Sequence, residues 1–193
     1  VQATGGGSIL INGSNQSTST GRWNIGVFVG NTATISTVDG SLTVKGFGGG
    51  SGSSGADYGV IIAEVGANAI KTTGAGSISI YGVSGSGSGG NQYGVLGISS
   101  GGISTIGTGN IMIFADTIGL VSDGIVSAGS LTVAPYTNVS MGVGSSSSGT
   151  LKLTDTLLSY MIASSYIFGS TGAGTVSVNT THDFSGKNVS FIS

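Results

Sequence analysis

The chain has no cysteine, one histidine, one tryptophan and one proline in 193 residues. Without cysteine no disulfide staples the fold, and stability has to come from the stacking of its elements. One histidine and no thiol exclude a zinc centre. Charge is equally scarce. Only 6% of residues are charged, against about a quarter in an ordinary globular domain. The net charge is −2, and the five cations Arg22, Lys45, Lys71, Lys152 and Lys187 are scattered, so no basic patch forms for a nucleic acid. Such a composition does not fit a cytosolic enzyme. No apolar run approaches the roughly 18 residues a membrane-spanning helix needs. There is no signal peptide and no initiator methionine, and Val1 reads as the middle of a longer chain or as a processed product.

What the chain has in abundance is glycine, 39 residues in all, about three times the usual share. A disordered low-complexity chain is excluded because the aliphatic positions are regular and the mean hydropathy is +0.39. One phrase returns seven times: Gly, a small polar residue, then two aliphatics flanking a variable position. Its aliphatic pairs are Ile9/Ile11, Leu42/Val44, Ile78/Ile80, Ile111/Ile113, Leu131/Val133, Leu151/Leu153 and Val176/Val178. Period-two alternation makes each phrase a short strand with one face inward. Repetition at 20 to 36 residues is the mark of a solenoid, whose units cannot bury a core alone.

Two further phrases follow each of the first four copies. The second contains a glycine before apolar residues, at Ile25-Gly26-Val27, Tyr58-Gly59-Val60, Tyr93-Gly94-Val95 and Ile118-Gly119-Leu120. The third is weaker and runs through Ile35, Ile70, Ile103 and Ile125. Three strands per turn predict an all-β fold, a triangular parallel β-helix of about seven coils, with strands stacked about 4.8 Å apart and a length near 35 Å. Residues 1–193 form one domain on this reading. Residues 1–133 are coils with Gly/Ser-rich inserts at one corner, at Gly13–Asn24, Gly46–Asp57 and Gly82–Gln92. Residues 47–56 and 83–91 are expected to be surface excursions that tolerate shortening.

Residues 134–193 lack the inserts. Thr154 or Asp155 is expected to cap a short helix carrying Leu157, Leu158, Met161 and Ile162 on one face. Gly149 to Asp155, Leu157 to Ile162, Phe168-Gly169-Ser170 and Gly174 to Val178 together resemble the repeat unit of filamentous-haemagglutinin-like bacterial adhesins. That resemblance implies a right-handed β-helix, export by a two-partner or autotransporter route, a place outside the cell or on the bacterial surface, and a role in attachment or filament formation. The secretion domain usual in that family is not recognisable.

Residues able to carry chemistry are few. The acids are Asp39, Asp57, Glu64, Asp116, Asp123, Asp155 and Asp183. A glycosidase or lyase on a β-helix needs clustered carboxylates, and only Asp116 and Asp123 could approach one another; turn positions are the default for acids. His182 beside Asp183 reads as a surface turn. Gly49 to Ser54 comes nearest a calcium-binding solenoid pattern but places serine where aspartate is required. No catalytic, cofactor-binding or metal-binding residue is therefore assigned, and no cofactor. Sequons at Asn12, Asn15, Asn138, Asn179 and Asn188 permit glycosylation in a secreted chain. Trp23, next to Arg22, is either a contact residue or a lid over a corner.

The function expected is a non-catalytic structural segment of an adhesin or surface filament. Its partners are its own kind, end to end through unpaired strand edges, or the continuation of its chain, with a host surface or glycan as ligand. The alternative is a β-helical protein that binds or degrades polysaccharide.

Overall fold

The structure is a computed structural model that describes residues 1–30, 32–63, 69–98, 102–121 and 124–193. It is nearly all β, and every named strand pair is parallel. The chain repeats a three-strand unit. The first has β1 Ile9–Ser14, β2 Val27–Gly30 and β3 Ile35–Thr37; the second β4 Leu42–Phe47, β5 Val60–Ala63 and β6 Ile70–Thr72; the third β7 Ile78–Val83, β8 Val95–Gly97 and β9 Ile103–Thr105. Then come β10 Ile111–Ala115, β11 Ile118–Leu120 and the long β12 Ile125–Ala134. Equivalent strands stack: β1 on β4, β7, β10 and β12, β2 on β5, β8 and β11, and β3 on β6, β9 and β12. This is a solenoid-like stack, as the repeated phrases predict.

Alternation fixes what lies inside. In β4, β7 and β10 the pairs Leu42/Val44, Ile78/Ile80 and Ile111/Ile113 are fully buried and meet in register. Each such side chain taken out of water contributes about 1.5–3 kcal/mol. At one corner a second ladder, of hydroxyls, is buried. Thr37, Thr72 and Thr105 donate to the carbonyls of Gly40, Gly76 and Gly109 at 2.7, 2.7 and 2.9 Å, and Ser127 donates to that of Ser130 at 3.0 Å. Each bond gives a buried hydroxyl a backbone acceptor at the bend.

At the opposite end of the first face, glycine is required for a different reason. A Cβ on Gly13, Gly46 or Gly82 would lie 2.1 Å from the carbonyl oxygen of Gly26, Gly59 or Gly94, respectively. The chain leaves and re-enters the stack between these facing glycines, so each insert is pinched at its neck. None of the six glycines is among those with positive φ; close approach, not left-handed backbone, is what they supply.

The C-terminal part departs from the expected stacking. It contains β13 Met141–Val143, β14 Leu151–Leu153, α1 Asp155–Ser159, β15 Met161–Gly169, β16 Val176–Val178 and β17 Asn188–Ile192. The sixth and seventh phrases, in β14 and β16, do not extend the ladder of the first five. They sit in a separate sheet of order β14-β13-β16, with β14 against β11. The first ladder is continued instead by Tyr166/Phe168 of β15 and Val189/Phe191 of β17. The phrase encodes a strand with one buried side, which suits any face of the stack equally well. β13 and β14 are parallel neighbours joined only by residues 144–150, where about a dozen residues are usual. Left-handed Gly144 (φ 104°) and a bond from its N–H to Leu153 O at 2.7 Å make the tight return.

Helix α1 is shorter than expected. Thr154 is its N-cap and accepts from Leu157 N–H at 3.2 Å, and Leu158 is buried. Met161 and Ile162 are not on its face but in β15, where one is buried and the other half-exposed.

Candidate functional site

The inserts are built, not loose. Residues 48–57 lie between the other two inserts and hydrogen-bond to both. Gly50 and Ser51 donate to Ser17 O and Ser19 O at 2.6 and 3.1 Å. Ser86 and Ser88 hydroxyls reach Gly50 O and Gly52 O at 3.1 and 2.9 Å. Residues 83–91 are exposed or half-buried, as surface excursions are, whereas Gly49, Gly50 and Ser54 to Ala56 of the middle insert are buried. Glycine and serine cannot fold alone, but stacked coil on coil they bond their backbones to the neighbouring rung, as the strands do.

Beneath this stack Asp57 is fully buried. Its carboxylate accepts from Asn24 Nδ2 and from the Ser54 hydroxyl, both at 2.7 Å. Asn24, Asp57 and Gln92 occupy the same position of successive coils, three residues before Val27, Val60 and Val95, which pair in register. Glycines admit the chain close to the carboxylate: a Cβ on Gly50 or Gly87 would lie 2.6 or 2.8 Å from Asp57 Oδ2.

Outside the same corner is a small second core of Ala56, Tyr58 and Ile61, with Ile25, Tyr93 and Leu96 against it. The Tyr58 and Tyr93 rings stack at 6.4 Å. Burial raises the Tyr58 phenol above its usual range, while nearby Arg22 opposes the shift. Trp23 meets Tyr58 edge-on at 5.9 Å yet stays 59% exposed. Its ring touches the corner without covering it, and most of its surface faces solvent.

Among the described residues the remaining acids do not converge. Asp39 accepts from Ala75 N–H at 2.9 Å. Asp116 accepts from the Thr137 N–H and hydroxyl at 2.9 and 2.7 Å, while Asp123 and Glu64 lie outside the described residues. Asp155 ties three segments together, accepting from Ser145 N–H at 3.2 Å, the Thr180 hydroxyl at 2.5 Å and Thr181 N–H at 3.1 Å. These bonds, that from Thr180 first, hold its carboxyl well below the usual range. Asp183 is lowered by the hydroxyl and N–H of Ser185. His182 packs edge-on against Phe184 at 4.7 Å. Among the described residues no group of three or more His, Cys, Asp or Glu gathers for a metal ion.

The two ends of the stack differ from its sides. Residues 1–5 run along β3, with Ala3 N–H to Ser36 O and Ser36 N–H to Val1 O both at 2.9 Å. β1 and β2 have a strand neighbour on one side only, as do β16 and β17. A cavity of about 280 Å³ opens at the first end between Ile11, Val27, Val29 and Ile35. At the other end Phe191, whose column in the ladder points inward, is 44% exposed. No protein-family model, curated protein or solved structure matches the chain.

Proposed function

We propose that this chain is a non-catalytic structural β-solenoid, a segment of a bacterial adhesin or surface filament that works outside the cell. On this reading the stack is a right-handed, triangular β-helix of about seven coils, and its task is length. The observation that supports it is the pair of open ends. All strands are parallel, so the free edges of β1 and β2 and those of β16 and β17 have the same polarity, and a further coil fits either end. The inward columns agree as well: Val189 and Phe191 continue towards the positions that Ile9 and Ile11 hold at the other end. An interface of unlike surfaces that does not close on itself builds fibres. Covalent continuation of the chain satisfies the same edges.

Electron microscopy of the purified protein at rising concentration tests the reading. Rods that lengthen in steps of one unit are expected. Leu10→Pro should hold them at one unit. Ile9 and Asn15 turn their N–H groups towards β4, so alternation leaves that of Leu10 on the free edge, where its loss costs the monomer nothing. Rods that remain single at every concentration would overturn end-to-end stacking.

A further inference from the structure

We propose that Trp23 and Arg22 form a binding subsite for an acidic sugar, a pyranose ring bearing a carboxylate or sulfate, on the outer edge of the insert stack. Trp23 has φ +70°, a left-handed conformation that side chains other than asparagine and aspartate seldom adopt. The same corner of the next two coils carries Ala56 at φ 56° and Asn91 at φ 55°. The conformation thus belongs to the corner, and a small or amide side chain serves it. An indole there adds strain, and with 59% of its surface in water burial does not offset it. Neither backbone nor core accounts for tryptophan at this position.

The ring is also fixed in place. The backbone N–H of Trp23 donates to Gly55 O at 3.3 Å. The next residue, Asn24, ties the turn to Gly21 O at 3.0 Å and to buried Asp57 at 2.7 Å. Tyr58 supports the ring from below. A preorganised aromatic loses little freedom on binding.

The surroundings select the ligand. Residues 16–20 are exposed and carry only amide and hydroxyl side chains. Arg22 is the only arginine of the chain and the only charged residue from 15 to 24. A protein partner needs a patch of about 800 Å² with an apolar centre, whereas Trp23 is the only large apolar side chain of residues 15–24 and its apolar neighbours Ile25, Tyr58, Tyr93 and Leu96 are half-buried or buried. One face of a pyranose is a set of C–H bonds, which suit the negative face of an indole. Its hydroxyls suit amides, and a planar guanidinium matches a carboxylate or sulfate in two parallel bonds. The inference rests on the insert corner and not on the open ends, so it and the stacking of units fail separately.

Since the chain has one tryptophan, its fluorescence reports this site alone. Titration with an oligogalacturonate should give a saturable change in emission, with at least tenfold weaker binding of the neutral galactose oligomer. Inorganic sulfate at equal concentration should change nothing. By calorimetry, Trp23→Ala should lose at least tenfold in affinity with an unchanged melting temperature, because Ala56 already occupies the equivalent corner. Arg22→Gln should abolish the preference for the acidic oligomer. Equal binding of the neutral oligomer, binding retained in Trp23→Ala, or no saturable change at all would overturn the proposal. Rod lengthening in the same preparations is independent of every one of these results.

Discussion

Ile113 and Ser79 sit on opposite sides of one ladder, Ile113 fully buried between Ile80 and Val133, and Ser79 half-buried between Thr43 and Met112. Ile113→Asp should cost about 3–5 kcal/mol, because a carboxylate would lie in an aliphatic stack with no partner. Ser79→Asp should stay within about 0.5 kcal/mol. Chemical denaturation of both variants measures the contrast, and equal losses would contradict the inward and outward assignment. The inward residues were legible from alternation alone. The buried hydroxyls and Asp57 were not, since threonine, serine and aspartate at a corner look like any solvent turn in the sequence. Only the stacking of inserts shows that Asp57 is covered. Trp23, Ala56 and Asn91 share one left-handed conformation across three unlike residue types, so composition gave no hint of it.

Asp155 makes a prediction in pH. Its carboxylate is held ionised by Thr180, Ser145 and Thr181 in the folded state, and its ordinary value is 3.8. The unfolded chain takes up the proton first. This contribution is therefore fully present above about pH 5 and is lost as pH falls through 3.8 and below. Melting temperature should drop over that window more steeply in the parent chain than in Asp155→Asn, which lacks the titrating group. Parallel curves would remove Asp155 as the tie between residues 145, 180 and 181.

Among elements, the third insert tests whether the corner stack is structural. Deleting residues 84–90 removes the hydroxyls of Ser86 and Ser88 from Gly50 O and Gly52 O and uncovers Asp57. Loop shortening alone changes closure entropy by a few tenths of a kcal/mol. Loss of those bonds and exposure of the carboxylate network should cost about 2–4 kcal/mol. A denaturation midpoint unchanged by the deletion would mean that the insert is an ornament. The same scale shows where sequence reading stopped. Five of the seven phrases stack as their repetition predicts, the fifth although its spacing has already fallen from 33 to 20 residues, and the break comes after Val133. Leu-Lys-Leu and Val-Ser-Val have the alternation of the first face, but nothing in either triplet says which side of the stack receives it. Met141-Gly142-Val143 interrupts the order without any phrase to announce it. The helix was visible from its cap, while its end at Ser159 follows from Met161 pairing with Ile125, a contact 36 residues away.

For the whole molecule, the reversed order of β13 and β14 has a mechanical consequence. A solenoid pulled from its C-terminal end unspools one rung at a time, each strand peeling from the single neighbour beneath it. β17 leaves β15, β16 leaves β13, and β15 leaves β12. The next strand along the chain is β14, and it does not lie on top: β13 still covers it on one side and β11 supports it on the other. Extracting β14 requires its ladder with β13 and its packing against β11 to give way together, so tension that suffices for the earlier rungs is expected to stall there. Force spectroscopy should record small, similar steps from the C-terminal end, then one distinctly higher force before the remaining coils run out. Straining the return by replacing left-handed Gly144 with alanine, whose Cβ would lie 2.0 Å from Asn179 O, should lower that peak together with the step for β16, which Asn179 N–H ties to Val143 O, and leave the step for β17 in place. On this prediction, a stretch of chain that reads in the sequence as two more ordinary repeats would act as a catch, setting how much load the stack bears before it gives up its core.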